Sequence, residues 1–446
     1  MFEKLDRSLF SPRLPLDPAR LPIYYGWVVL VAGSVGALAA APVSPPGMAP
    51  FVDPMLEAMD LSRSRFALAY MAGTLLAGVM TMFAGRWVDR LGVRRICTFA
   101  FLLLGGSLCL LGVADLLVEA AVGRGIAGVS AFWPIALLGA GFFAARLLGL
   151  GLVMTAVRVM VIRWFVRKRN LVVAINGAAI ALSFTALPAL LIYPVEAIGW
   201  RQTWLAMGAL FGTGFSVLAW AFFRDSPADA GLADDDTDPG AALSGRKAIP
   251  DGPDHTAGEA LRTRAFWAFS GGLVLNCIVG TGVAFHLASL GTRAGLEKEF
   301  AMSLLLLGSV VNLAVTAGVA LAGQRVTPRH LLWGLVAGLA IDLGGLLMLE
   351  TSWGWAALVV GSGIHWACFA FLLAVPWPRY FGRAHVGTIS GLATGIMMVS
   401  TALGPYVFGL SADYAGDYQT VLIACVGALI PLAVVSLTVP AAPGEH

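Results

Sequence analysis

Twelve apolar stretches recur along this chain, near 24–45, 65–84, 96–114, 131–157, 171–195, 202–223, 265–288, 301–322, 331–350, 354–376, 387–410 and 419–440. A helix crossing the hydrocarbon core of a bilayer needs about 20 apolar residues, so each stretch is a candidate span. The stretches are continuous and do not alternate apolar with polar residues, which argues for helices and against a β-barrel. Composition supports this: 58% of the 446 residues are hydrophobic and only 12% are charged, against about 25% charged in a soluble chain. So few charges cannot cover several soluble domains, which excludes an ordinary soluble enzyme. The expected fold is an all-α membrane protein of twelve transmembrane helices. All five cysteines fall inside apolar stretches with no CxxC pair, so a disulfide framework is not expected.

The sparse charges carry topological information. Residues 1–23 mix acidic and basic side chains with four prolines and lead into an apolar run that opens a multi-span chain. They read as a cytoplasmic tail before an uncleaved first helix, not as a secretory signal. Residues 224–263 are the one long polar segment, with Asp234, Asp235, Asp236 and Asp238 close together. They read as a cytoplasmic linker with too little apolar area to fold alone. With the N-terminus inside and the spans alternating, 22 of the 29 lysines and arginines fall in inner segments and six in outer loops; Arg146 is left within a span. That bias sets the alternation, the even helix count and both termini, including the tail 441–446, on the cytoplasmic side. A bacterial cytoplasmic (inner) membrane is the expected location.

The two halves also repeat. Arg163-Trp164-Phe165-Val166-Arg167 matches Arg379-Tyr380-Phe381-Gly382-Arg383, and Gly199-Trp200-Arg201-Gln202-Thr203 matches Gly416-Asp417-Tyr418-Gln419-Thr420. Two six-helix bundles related by pseudo-symmetry, 24–223 and 264–440, are therefore expected. Residues 115–130, an outer loop with Glu119 and Arg124, read as an insertion in the first half.

Gly85-Arg86-Trp87-Val88-Asp89-Arg90-Leu91-Gly92-Val93-Arg94-Arg95 closely resembles the loop motif between helices 2 and 3 of the major facilitator superfamily. Gly85 and Gly92 allow close packing and a tight turn. Asp89 can accept from Arg90 or Arg94 and can sit against a helix N-terminus, a clamp that holds one conformation. The basic pair follows Gly92 by two positions where the family has one. Arg146-Leu147-Leu148-Gly149-Leu150-Gly151 resembles a second family motif in helix 4. The opening Tyr24-Tyr25-Gly26-Trp27, with the Arg163-Trp164-Phe165 and Arg379-Tyr380-Phe381 exits, resembles the branch of monocarboxylate transporters and oxalate/formate exchangers. The carriers' Asp-Arg pair in helix 8 is absent here.

The resemblance implies that helices 1, 4, 7 and 10 line a central cavity. An ionisable group inside a bilayer is costly and usually faces a cavity or a partner. Arg146 in helix 4 can grip a carboxylate in a bidentate way or act as a packing arginine. His365 lies at similar depth in helix 10, and histidine as a residue type suits either a coupled proton or substrate binding. Asn276 and His286 in helix 7 are further substrate-binding candidates, and Asp342 in the peripheral helix 9 must be protonated, paired or turned inward. His365 and Cys368 share a helix face, but without further ligands no metal site is assigned, and no cofactor is expected.

The resemblance implies a secondary active transporter working by alternating access, with the substrate held near the midplane between the halves. No GxxxxGK[ST] motif is present to support ATP-driven transport. The expected partners are a small organic anion, a monocarboxylate, together with a proton or a counter-substrate and the lipid bilayer; no nucleic acid is involved, and a monomer is expected. Two alternatives stand. The same fold serves efflux of drugs or metal-chelating molecules, or metal uptake; a non-transporting membrane sensor or assembly factor would merely keep it.

Overall fold

The computed structural model describes residues 10–11, 14–61, 63–123, 129–232 and 252–442. The chain divides into two compact units, Met1–Phe165 with Ile175–Arg246, and Val166–Ala174 with Lys247–His446. Among the described residues all regular structure is helical. The first half comprises α1 (Gly26–Ala37), α2 (Pro45–Met59), α3 (Arg63–Leu91), α4 (Val93–Gly112), α5 (Ala114–Gly123), α6 (Val129–Arg146), α7 (Met154–Trp164), α8 (Arg169–Ile198), α9 (Trp200–Ala209) and α10 (Ser216–Phe222). The second comprises α11 (Ala257–Ala260), α12 (Arg264–Arg293), α13 (Lys298–Ala322), α14 (Pro328–Leu347), α15 (Ser352–Leu372), α16 (Pro376–Phe381), α17 (Val386–Leu410) and α18 (Gln419–Thr438). A π-helical segment, Leu147–Val153, joins α6 to α7, and another, Leu210–Phe215, joins α9 to α10. Ten helices are long and apolar enough to cross a membrane, and Gly26–Ala40 and Arg169–Ile180 are shorter apolar ones. Together they follow the twelve-span order that the apolar stretches predict.

Local chemistry sets the ends. Ser44 caps α2 by accepting from Gly47 N at 3.3 Å, and Pro45 opens the helix, where a missing N–H costs nothing. Asp60, in the left-handed region, ends it. Asp53 thus lies exposed inside α2 and not at its end. Thr263 caps α12, and Thr327 with His330 forms a capping box before α14.

Two spans and one outer loop differ from their predicted form. Helix α3 continues to Leu91, so Gly85, Asp89 and Arg90 are helical and Gly92 alone makes the turn. The fourth span continues to Trp164, which moves Arg158 from an inner loop into the membrane helix. Residues 114–123 form α5, not a loop, and its Asp115 pairs with Arg201 at the start of α9; Arg124 lies outside the described residues. The linker is ordered at both described ends, where Asp225 and Asp254 each cap a turn. Asp234, Asp235, Asp236 and Asp238 lie outside the described residues.

Each unit gathers its helix ends with aromatic rings. Tyr24 and Trp27 pack edge-on against Phe165, and Tyr25 tilts against Trp164. Tyr24 Oη donates to Trp164 O at 2.6 Å and Tyr25 Oη to Phe222 O at 2.9 Å, while Trp164 Nε1 donates to Arg224 O at 2.9 Å. Tyr25 is fully buried, a structural bolt and not an interfacial belt aromatic. The second unit repeats the arrangement with Phe266 and Phe269 on Trp377, and Tyr380 Oη donating to Pro440 O at 2.8 Å. The aromatic exits noticed in the sequence repeat are these two clamps.

Small residues bring other helices into backbone contact. A methyl group at Gly361 of α15 would lie 2.4 Å from Asp342 N of α14, and one at Gly338 of α14 would lie 2.7 Å from His365 N. Gly92 has φ +85°, and a methyl group there would meet Asp225 Oδ2 at 2.6 Å. Gly92→Ala is therefore expected to destabilise the protein by about 1–3 kcal/mol, the usual cost of a non-glycine residue in that region. Gly106→Ala, in α4 with open space around it, should be neutral or stabilising. Thermal unfolding of both variants in detergent checks the contrast.

Candidate functional site

Helices α12, α14 and α15 converge on one buried polar cluster in the second unit. His365 lies near the middle of α15, 1% exposed, between Asn276 of α12, fully buried, and Asp342 of α14, 2% exposed. His365 Nδ1 lies 2.8 Å from Asn276 Oδ1, and Nε2 lies 3.4 Å from Asp342 Oδ2. Gly338 and Gly361 permit this, because only glycine lets α14 approach α15 closely enough at that level. Asp342 therefore turns inward from a span expected at the periphery, as a buried carboxyl must. Cys368, one turn along α15, packs its sulfur against Gly334. Among the described residues no three histidine, cysteine or acidic side chains form a metal-ligand group.

The arrangement limits where protons can sit. Asn276 Oδ1 only accepts, so the Nδ1 facing it carries hydrogen. Nε2 and the Asp342 carboxylate then need one hydrogen between them, on the carboxyl or on the ring. Either way the pair is neutral overall and holds one transferable proton. Without that proton a ring lone pair would face a carboxylate inside a low-dielectric core. Asn276 Nδ2, Asp342 Oδ1 and His365 Nε2 are buried without a hydrogen-bond partner, so Nε2 and the carboxyl face each other within ion-pair range and not in a formed hydrogen bond.

Arg146 lies in the first unit, at the end of α6 where the π segment begins, and is 5% exposed. It donates to Tyr70 Oη on α3 and, at 3.5 Å, to Val43 O where the first span breaks. Its guanidinium stands 4.9 Å from the centre of the Tyr70 ring, a cation–π contact. Nε is buried without a partner, and among the described residues no carboxylate lies within ion-pair range. Gly149 and Gly151 of the motif let the same span approach Val43 and Thr81.

His286 does not join the cluster. It lies ten residues beyond Asn276 on α12, with Nε2 3.0 Å from Pro405 O and Nδ1 3.0 Å from Tyr418 Oη. A carbonyl only accepts, so Nε2 carries hydrogen, while Nδ1 meets a tyrosine hydroxyl: both ring nitrogens have a partner. The Gly85–Arg95 segment makes a clamp with partners other than those expected. Asp89 Oδ1 accepts from Arg163 of α7 at 2.9 Å, not from Arg90 or Arg94. Arg94 is buried and donates to three carbonyls, Ser11 O, Leu14 O and Trp220 O, at 2.6–2.8 Å. Asp225 caps α4 by accepting from Arg94 N at 3.0 Å.

The sequence model of the Major Facilitator Superfamily matches residues 27–405. The chain belongs to this superfamily. No curated protein sequence matches it. Among solved structures it is similar to the proton:xylose symporter XylE bound to 6-bromo-6-deoxy-D-glucose, at 13% identity and TM-score 0.66, covering 93% of this chain and 95% of that one. It is also similar to a bacterial homologue of the iron transporter ferroportin, at 14% identity and TM-score 0.67, covering 93% and 98%. The human organic anion transporter MFSD10 matches at 16% identity and TM-score 0.61, covering 94% and 100%. At these identities the likeness establishes the fold alone; that the chain is a multi-pass membrane transporter and not an enzyme rests on the superfamily match.

Several residues of this superfamily member were not legible as partners. Tyr70 carried no signal beyond being one aromatic in an apolar span. Arg163 was visible only as part of the exit repeat. Asp225 stands directly after the sixth span, and Asp254 does the same work elsewhere: its Oδ1 accepts from Arg383 N and Ala384 N at 2.9 and 3.0 Å, beside Gly382 at φ +73°. An aspartate in the linker gives no hint of which glycine turn it will fill.

Burial holds the Asp225 carboxyl above the usual carboxylate range, against the opposing pull of the Arg94 N–H. A carboxyl raised by folding stabilises the fold most below its ordinary value of 3.8 and loses that contribution as pH climbs through its raised value. Wild-type stability should therefore decline over that window, and Asp225→Asn should flatten the decline. Detergent unfolding at a series of pH values checks it.

Proposed function

We propose that this chain is a proton-coupled secondary transporter of a small organic anion, a monocarboxylate, moved by symport or exchange through alternating access. The observation that carries the coupling is the buried Asp342–His365 pair, which is neutral with one transferable proton and charged without it. The anion is supported by Arg146, a buried cation with an unpartnered Nε and no acidic partner among the described residues. A carboxylate would complete it, since guanidinium and carboxylate match as fork to fork. XylE is a proton symporter and MFSD10 an organic anion transporter; both uses are compatible with this fold. Both termini would lie in the cytoplasm, which the lysine and arginine bias supports, and the membrane would be a bacterial inner membrane.

In proteoliposomes given a panel of monocarboxylates, a pH gradient should drive uptake by the wild type. Asp342→Asn should lose the response to the gradient while keeping substrate counterflow, which needs no net proton movement. Arg146→Gln should lose uptake and counterflow together, at least tenfold by the loss of one charge-assisted contact of about 1.5–3 kcal/mol, while still inserting. Gradient-driven uptake by Asp342→Asn, or wild-type uptake by Arg146→Gln, would remove the corresponding assignment. Broad protection against unrelated drugs in a growth screen would favour efflux instead.

A further inference from the structure

Resting on the reading that Asp342 and His365 hold the coupled proton, we propose that Asn276 reads the proton state of the pair by turning its amide. It accepts from His365 Nδ1 while the proton is held and donates to Nδ1 once the proton has gone.

The hydrogen count leads there. With the proton held, the ring and the carboxyl carry two hydrogens: one on Nδ1, bonded to Asn276 Oδ1 at 2.8 Å, and one on either Nε2 or Asp342, where Nε2 and Oδ2 face each other at 3.4 Å without a formed hydrogen bond. Release of one proton leaves one hydrogen for two positions. If it stayed on Nδ1, the Nε2 lone pair would face an ionised carboxylate 3.4 Å away. If it stays on Nε2, that N–H donates to the carboxylate, and Nδ1 becomes an acceptor facing an acceptor oxygen. The Asn276 amide has both functions on one group, and its Nδ2 is a buried donor with no partner. A half-turn about its last bond exchanges Oδ1 for Nδ2 and gives Nδ1 a donor. The amide therefore supplies a hydrogen-bonded arrangement for each proton count. The departing proton is the one from Nδ1, and the atoms balance with one H⁺ lost.

No other charged group competes at this depth. In α14, Arg329 and His330 lie in the first turn, and in α13, Lys298 and Glu299 do. On α12, Arg264 is at the start and His286 and Arg293 lie toward the far end. Helix α17 offers only the exposed Tyr406, and α18 only the Cys425 thiol; Cys277 and Cys368 are the nearest thiols. The amide makes Asn276 a positioning residue that ties the proton state to α12, not one of the substrate contacts expected from sequence.

Nitrogen-15 spectra of histidine-labelled protein in proteoliposomes test this without substrate, with His365→Gln assigning the His365 signals. Hydrogen is expected on Nδ1 at acid pH and on Nε2 alone after release. A neutral ring that keeps its hydrogen on Nδ1 overturns the inference. Asn276→Asp offers acceptors only and adds a carboxylate beside the ring, so the release midpoint should rise by about one to three pH units. An unmoved midpoint in a variant that inserts normally also overturns it. The two readings fail separately: release with Nδ1 still protonated sinks only the role of Asn276, whereas gradient-driven uptake by Asp342→Asn sinks the proton site itself.

Discussion

A charged or polar group inside hydrocarbon has no water to fall back on, and every buried one here is constrained by that fact. An unpaired buried ion costs several kcal/mol even after the protein relaxes, a large share of the stability of a typical protein. The first unit meets the constraint mainly with carbonyls: Arg94 donates to Ser11, Leu14 and Trp220, and Arg224 to Leu14, Leu16, Ala221 and Phe223. Both guanidiniums thereby fasten the segment before α1 to the ends of α4 and α10. The second unit meets it with a carboxyl, an imidazole and an amide in one cluster. Charge placement and chain path are the same problem in this molecule.

Packing decides which groups can meet. The aromatic clamps at Trp164 and Trp377 fix the ends of the fourth and tenth spans against the first and seventh, in the same manner in each unit. Between α14 and α15 the glycines remove side chains where the helices cross, and the space goes to backbone contact. Asp342 and His365 sit on either side of that crossing. A larger residue at Gly338 or Gly361 would separate the helices before it touched either polar group. The cluster is therefore a property of small residues as much as of polar ones.

The spans and the family were legible because they are written in local composition: long apolar runs, a lopsided distribution of arginines, and a segment from Gly85 to Arg95 with its own spacing. The candidate polar residues were legible for the same reason, since a charge in an apolar run stands out. Their partners were not. That Asp342 would face His365 depends on glycines 23 residues apart in sequence on two different helices. That Asp89 would find Arg163 and leave Arg94 to a set of carbonyls depends on where α3 ends, seven residues later than hydropathy suggests. Arg158 looked like a loop charge because apolarity falls off before helical structure does. Hydropathy reads the membrane's edge, whereas helix ends answer to hydrogen bonds and caps.

The two proposed sites share one electrostatic logic. The proton pair is neutral when loaded and carries one negative charge when empty. Arg146 carries one positive charge when empty and would be neutralised by a bound carboxylate. Each is thus compatible with burial when occupied and expensive to bury when vacant. A site that must shed its ligand into a dry core would hold it indefinitely, so release has to follow the entry of water. The same desolvation that makes these residues costly then enforces the order of events: occupied sites can close, and empty ones resist closing until a proton or an anion returns. Coupling between substrate and proton needs no direct contact between Arg146 and Asp342 on this account. It needs only that one conformational change hydrates or buries both, and a superfamily built from two rocking units supplies that change.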